Sequence, residues 1–187
     1  MTERKRTKIR LSTILITGAL LFLFYPSVVL PAFGPNTCGA SEEALADFIL
    51  EYQQNNATLI KTAENGRIKA AIFQRDDIGT CIAMFERELF GLRWRYDGMD
   101  GLRDDGLNVN GAWSAEGKCY IVVSGDNRSG FWGSYRFPEE EGLAREGLEV
   151  DYIIDIYVLD GIDHFPDRTT FQQFAPDGTP VGEPYRR

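Results

Sequence analysis

Histidine is almost missing from this chain: His164 is the single imidazole in 187 residues. Metal centres built from several imidazoles are thereby excluded. Cysteine is scarce as well, and Cys38, Cys81 and Cys119 form neither a C-x-x-C pair nor a zinc spacing. Phosphate-cradling glycine loops, dinucleotide fingerprints and a G-x-S-x-G elbow are absent too. Beyond the first ten residues there is no basic stripe. Those ten carry five cations and one carboxylate, a local +4 within a formal net charge of -8, which leaves -12 on the other 177. An acidic body offers no electrostatic footprint for a phosphate backbone, so nucleic acid is disfavoured as a partner.

What the chain does have is a long apolar run. Leu11 to Phe33 is 23 residues without a charged side chain. At about 1.5 Å per residue such a helix crosses a ~30 Å hydrocarbon core. Lipid offers no partner for open backbone amides, so a helix is required there. The basic residues upstream hold the N-terminus in the cytoplasm and place the remainder outside. The expected organisation is a basic tip (1–10), a single-pass anchor (11–33) that makes the bilayer the first partner, a flexible spacer (34–40) and an extracytoplasmic domain (41–187). A cleaved secretory signal, with the protein then secreted, shares the basic start. Its apolar core would be shorter, and Ala32-Phe33-Gly34 runs into Pro35, a poor exit; Cys38-Gly39-Ala40 fits better but lies further out. The uncleaved anchor is favoured.

In the outside domain, Ser41 to Gln54 reads as a helix. Ser41 caps it, Glu42 and Glu43 sit at the positive end of the dipole, and Leu45, Phe48, Ile49 and Tyr52 make one apolar stripe. Strands follow. Ala57–Thr62 and Arg67–Gln74 flank Asn65-Gly66, a hairpin signal. Thr80–Arg87 and Leu92–Tyr96 form a second pair, and Lys118–Ser124 is apolar enough for a central strand. Leu148–Val158 alternates, with Leu148, Val150, Tyr152, Ile154, Ile156 and Val158 on a dry face and Glu149, Asp151 and Asp155 on a wet one. Phe171 to Val181 closes the chain with a strand, a turn and a short return. Asp-Gly pairs, Asp97-Gly98 and Asp100-Gly101 among them, mark turns. The fold expected is α+β, one amphipathic helix on a curved antiparallel sheet; a mainly β sandwich with an N-terminal helix is the alternative.

Candidate chemistry is thin. Cys81 and Cys119 both fall in strands, so a disulfide between them is one pairing that an oxidising exterior would allow; two buried thiols are the other reading. Asp160 to Asp167 brings Asp163 and His164 close to two further carboxylates, a set able to chelate a cation or act as acid and base, or simply a polar loop. The run from Asp97 fails as an EF-hand, because position 3 is Met99 and position 12 is Asn108. Glu139, Glu140 and Glu141 read as the first turn of a short helix. Phe90, Trp94, Tyr96, Trp113, Tyr120, Phe131, Trp132 and Tyr135 serve as core or as a binding surface, with Trp132 expected to be exposed. Asn56-Ala57-Thr58 and Asn127-Arg128-Ser129 match the glycosylation pattern.

The segment Phe85-Glu86-Arg87-Glu88-Leu89-Phe90-Gly91-Leu92-Arg93-Trp94 and the closing Phe174-Ala175-Pro176-Asp177-Gly178-Thr179-Pro180-Val181 resemble elements of small single-pass exported proteins from Gram-positive-type bacteria. The resemblance brings no catalytic residues and no cofactor. The function expected is a membrane-anchored, non-catalytic binding or interaction domain, accessory to an envelope or signalling system, with Trp132, Asp163 and His164 as candidate contacts. A small envelope hydrolase or metal-dependent enzyme using the Asp160–Asp167 loop is the alternative.

Overall fold

The computed structural model describes residues 17–18, 36–53, 57–88, 93–103, 106–113, 117–140, 142–161 and 165–182. The expected anchor, apart from helical Thr17 and Gly18, lies outside these residues. Among the described residues no helix is long and apolar enough to cross a membrane. The described chain is mostly β. In order it forms β1 (Thr37–Gly39), α1 (Glu42–Gln53), β2 (Ala57–Asn65), β3 (Ile68–Arg75), β4 (Gly79–Glu88), β5 (Arg93–Gly101), β6 (Asn108–Trp113) and β7 (Cys119–Asp126). Then come β8 (Ser134–Arg136), β9 (Ala144–Glu146), β10 (Tyr152–Leu159), a 3-10 turn (Arg168–Thr170), β11 (Gln172–Phe174) and β12 (Pro180–Val181).

Three antiparallel sheets result: β1-β5-β4-β3-β2, β10-β7-β6 and β12-β11-β8-β9. The alternation of side chains along β3 and β4 explains how they stack. Ala71, Phe73, Cys81, Ala83 and Phe85 point to one face of the first sheet, where Leu45 and Ile49 of α1 cover them. Ile68, Ala70, Ile72 and Ile82 point to the other face and meet Tyr120, Val122 and Ile154 of the second sheet. The second sheet's far face, with Val109, Ile121, Val123 and Ile153, is covered by Trp132, Tyr135, Phe137, Leu143 and Phe171 around the third sheet. Two sheets therefore form a sandwich, with α1 outside one and the small third sheet outside the other. The helix on an antiparallel sheet is present, and the sandwich alternative describes the layering beneath it.

Several elements follow from local chemistry. Ser41 Oγ accepts the Ala44 amide at 3.2 Å, the expected cap. The β2–β3 hairpin pairs Asn65 with Ile68, and Gly66 takes φ +60°, which a glycine adopts without strain. Gly111 is required for another reason: a Cβ there would stand 2.5 Å from the Phe165 ring. β7 is buried almost throughout, as its apolar run predicts.

Four expectations are corrected. Residues Thr37 to Gly39 are not part of a flexible spacer but pair with Arg95 to Arg93 of β5, and Cys38 is buried. Asp97-Gly98 and Asp100-Gly101 are not turns but lie within β5. There Met84 pairs with Gly98 and Phe85 with Tyr96, so Asp97 is the extra residue of a β-bulge, which tolerates a polar side chain in mid-strand. Strand β10 starts at Tyr152, and its second face is not wet: Ile153, Tyr157 and Leu159 pack beneath the third sheet. Finally, Glu139 and Glu140 belong to the tight turn joining β8 to β9, where the Glu140 amide donates to Phe137 O at 3.1 Å, and not to a helix.

Candidate functional site

Trp132 is buried, with 2% of its surface exposed, and its neighbour Phe131 is the exposed member of the pair at 50%. The reversal has a local cause. Asn127 Oδ1 accepts the Trp132 amide at 2.9 Å, and Asn127 Nδ2 donates to Trp132 O and Leu148 O at 3.1 and 2.8 Å. These bonds turn the indole inward against Leu107 and Gly125. Gly125 has to be glycine, since a Cβ would lie 2.4 Å from Leu107 Cδ2. The same geometry takes Asn127 out of consideration as a glycosylation acceptor in the folded chain, because its amide is buried and both its ends are engaged. Asn56 lies outside the described residues.

Asp163 and His164 lie outside the described residues too. The carboxylates flanking them are committed elsewhere. Asp160 pairs with Lys118 Nζ at 3.5 Å, and Asp167 Oδ1 accepts the Thr169 amide at 2.9 Å, which caps the 3-10 turn. That hydrogen bond holds the Asp167 carboxyl below its ordinary value. Among the described residues no three His, Cys, Asp or Glu side chains are grouped to hold a metal.

The disulfide reading is corrected. Cys81 and Cys119 are free buried thiols, and so is Cys38. Cys81 belongs to the core under α1 and Cys119 to the core under the third sheet, so both sheets of the sandwich separate them. Burial pushes all three thiols up, Cys38 to about 11, where Arg93 and Lys69 only partly counter it. Thiolates are not available at neutral pH, and nucleophilic chemistry at these positions is disfavoured.

Of the aromatic set, Trp94, Tyr120 and Tyr135 are buried core members. Lys69 Nζ stands 4.8 Å from the Trp94 ring and Arg87 5.0 Å from it, so two cations flank one indole. Phe90 lies outside the described residues. Tyr135 anchors a polar cluster beneath the third sheet. Its hydroxyl donates to Asp155 Oδ2 at 2.6 Å and lies 2.7 Å from the Tyr157 hydroxyl, while Arg145 pairs with Asp155. Burial first, then the Asp155 hydrogen bond, drives the Tyr135 phenol far above its ordinary value, so it stays a donor. Every member has a partner, which marks the cluster as a structural brace.

A concavity lies on the third sheet itself, one the residue pattern did not single out. About 680 Å³ is enclosed by Arg136, Pro138, Glu139, the segment Thr169 to Phe174, and Pro180 to Gly182. The 3-10 turn, β11 and β12 supply most of the lining, and Arg136 of β8 with the turn after it supplies the rest. Phe171 is buried, its ring centroid 4.8 Å from that of Phe137 at a 45° tilt. Arg136 crosses over the Phe174 ring at 5.0 Å and donates from Nε to Gln172 Oε1 at 3.0 Å, which fixes its guanidinium. The turn before β12 is tight: Gly133 donates to Phe174 O at 2.8 Å, and a Cβ on Gly133 would strike the Pro176 backbone at 2.5 Å. The lining is apolar with one cation, one carboxylate and several amides and hydroxyls. Among the described residues its lining holds no nucleophile–base pair and no paired carboxylates. The only sequence signal for it was the Phe, Gln and Pro content around the final turn. No protein-family model, no curated protein and no solved structure matches this chain.

Proposed function

We propose that this chain is a single-pass membrane protein whose domain outside the cytoplasm binds a ligand or partner and performs no chemistry on it, as an accessory of a bacterial envelope or signalling system. The concavity on the third sheet carries the binding half of this reading. Its volume falls in the range of about 300–1,000 Å³ that small-molecule and peptide-side-chain sites occupy. Its walls are apolar, and Arg136 is held ready by Phe174 and Gln172. The membrane half rests on the charge-free run from Leu11 to Phe33 and the basic residues before it.

The test is ligand-observed NMR on the full chain in lipid nanodiscs, screened with short peptides and oligosaccharides. Hits that vanish in Val181→Asp and Phe174→Ala, with the fold retained by circular dichroism, support the site. Hits indifferent to both substitutions, or a hit that is chemically converted, overturn the reading.

A further inference from the structure

The large apolar side chains left exposed among the described residues are Leu50, Tyr52, Ile78 and Phe131, and Ile78 and Phe131 share one end of the sandwich. Ile78, 56% exposed, sits in the turn between β3 and β4. Thr80, just past that turn, donates to Asp126 at the end of β7 at 3.5 Å, and Phe131 follows in the loop after β7. Leu50 and Tyr52 occupy the last turns of α1, and the Tyr52 ring meets Tyr96 at 4.9 Å.

Strand β1 points to the same end. It pairs antiparallel with β5, from Arg95 down to Arg93, and Asn36 O accepts the Tyr96 amide at 2.8 Å. Its N-terminal end is therefore directed to where β5 finishes at Gly101. Only Gly34 and Pro35 separate Phe33 from Asn36. Three Cα steps reach at most about 11 Å. Beyond Tyr96, with Asp97 taken up by the bulge, β5 advances four steps of ~3.3 Å to Gly101, about 13 Å. In an upright domain the end of β5 outreaches the tether by about 2 Å, and the β3–β4 turn, which lies beyond the Cys81–Gly101 pair, extends further, into the ~6 Å depth of one headgroup layer.

We infer that this end of the sandwich rests on a lipid surface, with Ile78 and Phe131 entering the headgroup layer. The inference rests on the reading of residues 11–33 as a membrane span. Exposed aliphatic and aromatic side chains partition to that layer. Charge selects the lipid. Asp76, Asp77, Asp126 and Asp151 at these turns outnumber Arg75 and Arg128, so the tip suits zwitterionic headgroups and is repelled by anionic ones.

The experiment uses the full chain in phosphatidylcholine vesicles, with nitroxides on Ile78→Cys, Phe131→Cys and, at the opposite end, Lys118→Cys. The three native thiols are buried and leave the labels specific. The first two labels lose access to an aqueous nickel reagent and gain access to oxygen, while the third stays open to water. Replacing half the lipid with phosphatidylglycerol reverses the change at both tip positions. Equal nickel access at the two ends overturns the inference, and an unchanged depth in phosphatidylglycerol overturns its choice of lipid. Flotation after alkaline carbonate separates the two failures: a chain stripped from the vesicles sinks the span itself, whereas a retained chain with an accessible tip sinks only the contact.

Discussion

Helix α1 covers its sheet with Leu45 and Ile49 and needs little beyond a serine cap. The third sheet covers the other side with strands of two or three residues and needs Asn127, Tyr135 and Asp155 to hold it. A regular element satisfies its own backbone and can be docked by apolar area alone. An irregular cover leaves loop amides and carbonyls inside, and buried side chains have to answer them. The looser cover is also the one that carries the concavity.

Substitutions on each side sharpen or break this contrast. Ile49→Ala removes a fully buried side chain beneath α1 and should cost about 3 kcal/mol, read as a lower urea midpoint. Asn127→Ala strands the Trp132 amide and two carbonyls, and a loss of about 2 kcal/mol is expected with a change in tryptophan emission. A neutral Asn127→Ala would show that apolar packing holds both covers alike. Tyr135→Phe takes one donor from Asp155 but leaves Arg145 paired to it, so about 1 kcal/mol is expected. Ser41→Ala, on the helical side, should cost about 0.5–1 kcal/mol by the same denaturation measurement.

The smallest effect is read from the pH dependence of stability. The Arg128 side chain hydrogen-bonds Asp126 and holds its carboxyl below the ordinary value. A depressed folded-state value means stability that is present above about pH 4 and lost as pH falls through it. Arg128→Ala should therefore lower stability slightly near neutrality and flatten its fall below about pH 4, the two proteins converging in strong acid, as followed by urea midpoints across pH. An unchanged acid limb would show the pair to be energetically idle, as exposed pairs often are.

Much of the helix side was legible in the residues. The stripe Leu45, Phe48, Ile49 marks α1, Asn65-Gly66 marks the hairpin, and the run in β7 marks a central strand. These signals have a period or a turn chemistry that local physics imposes. The third sheet had none, because three residues cannot display an alternation. The burial of Trp132 is hidden from the local pattern for a related reason: it depends on Asn127 bonding across to Leu148, twenty-one positions away. The alternation in β10 was real, but a wet second face does not follow when another layer closes over it. The concavity needs residues from β8, β11 and β12 together, and no single segment announces it.

Strand β1 has a consequence for processing of the chain. A leader peptidase cutting after Ala40 would carry away Thr37 to Gly39, baring the outer edge of β5 and the wall of the core beside Trp94. An unprotected strand edge invites pairing with a neighbouring molecule. Maturation at that bond and a finished five-stranded sheet are mutually exclusive outcomes for one polypeptide.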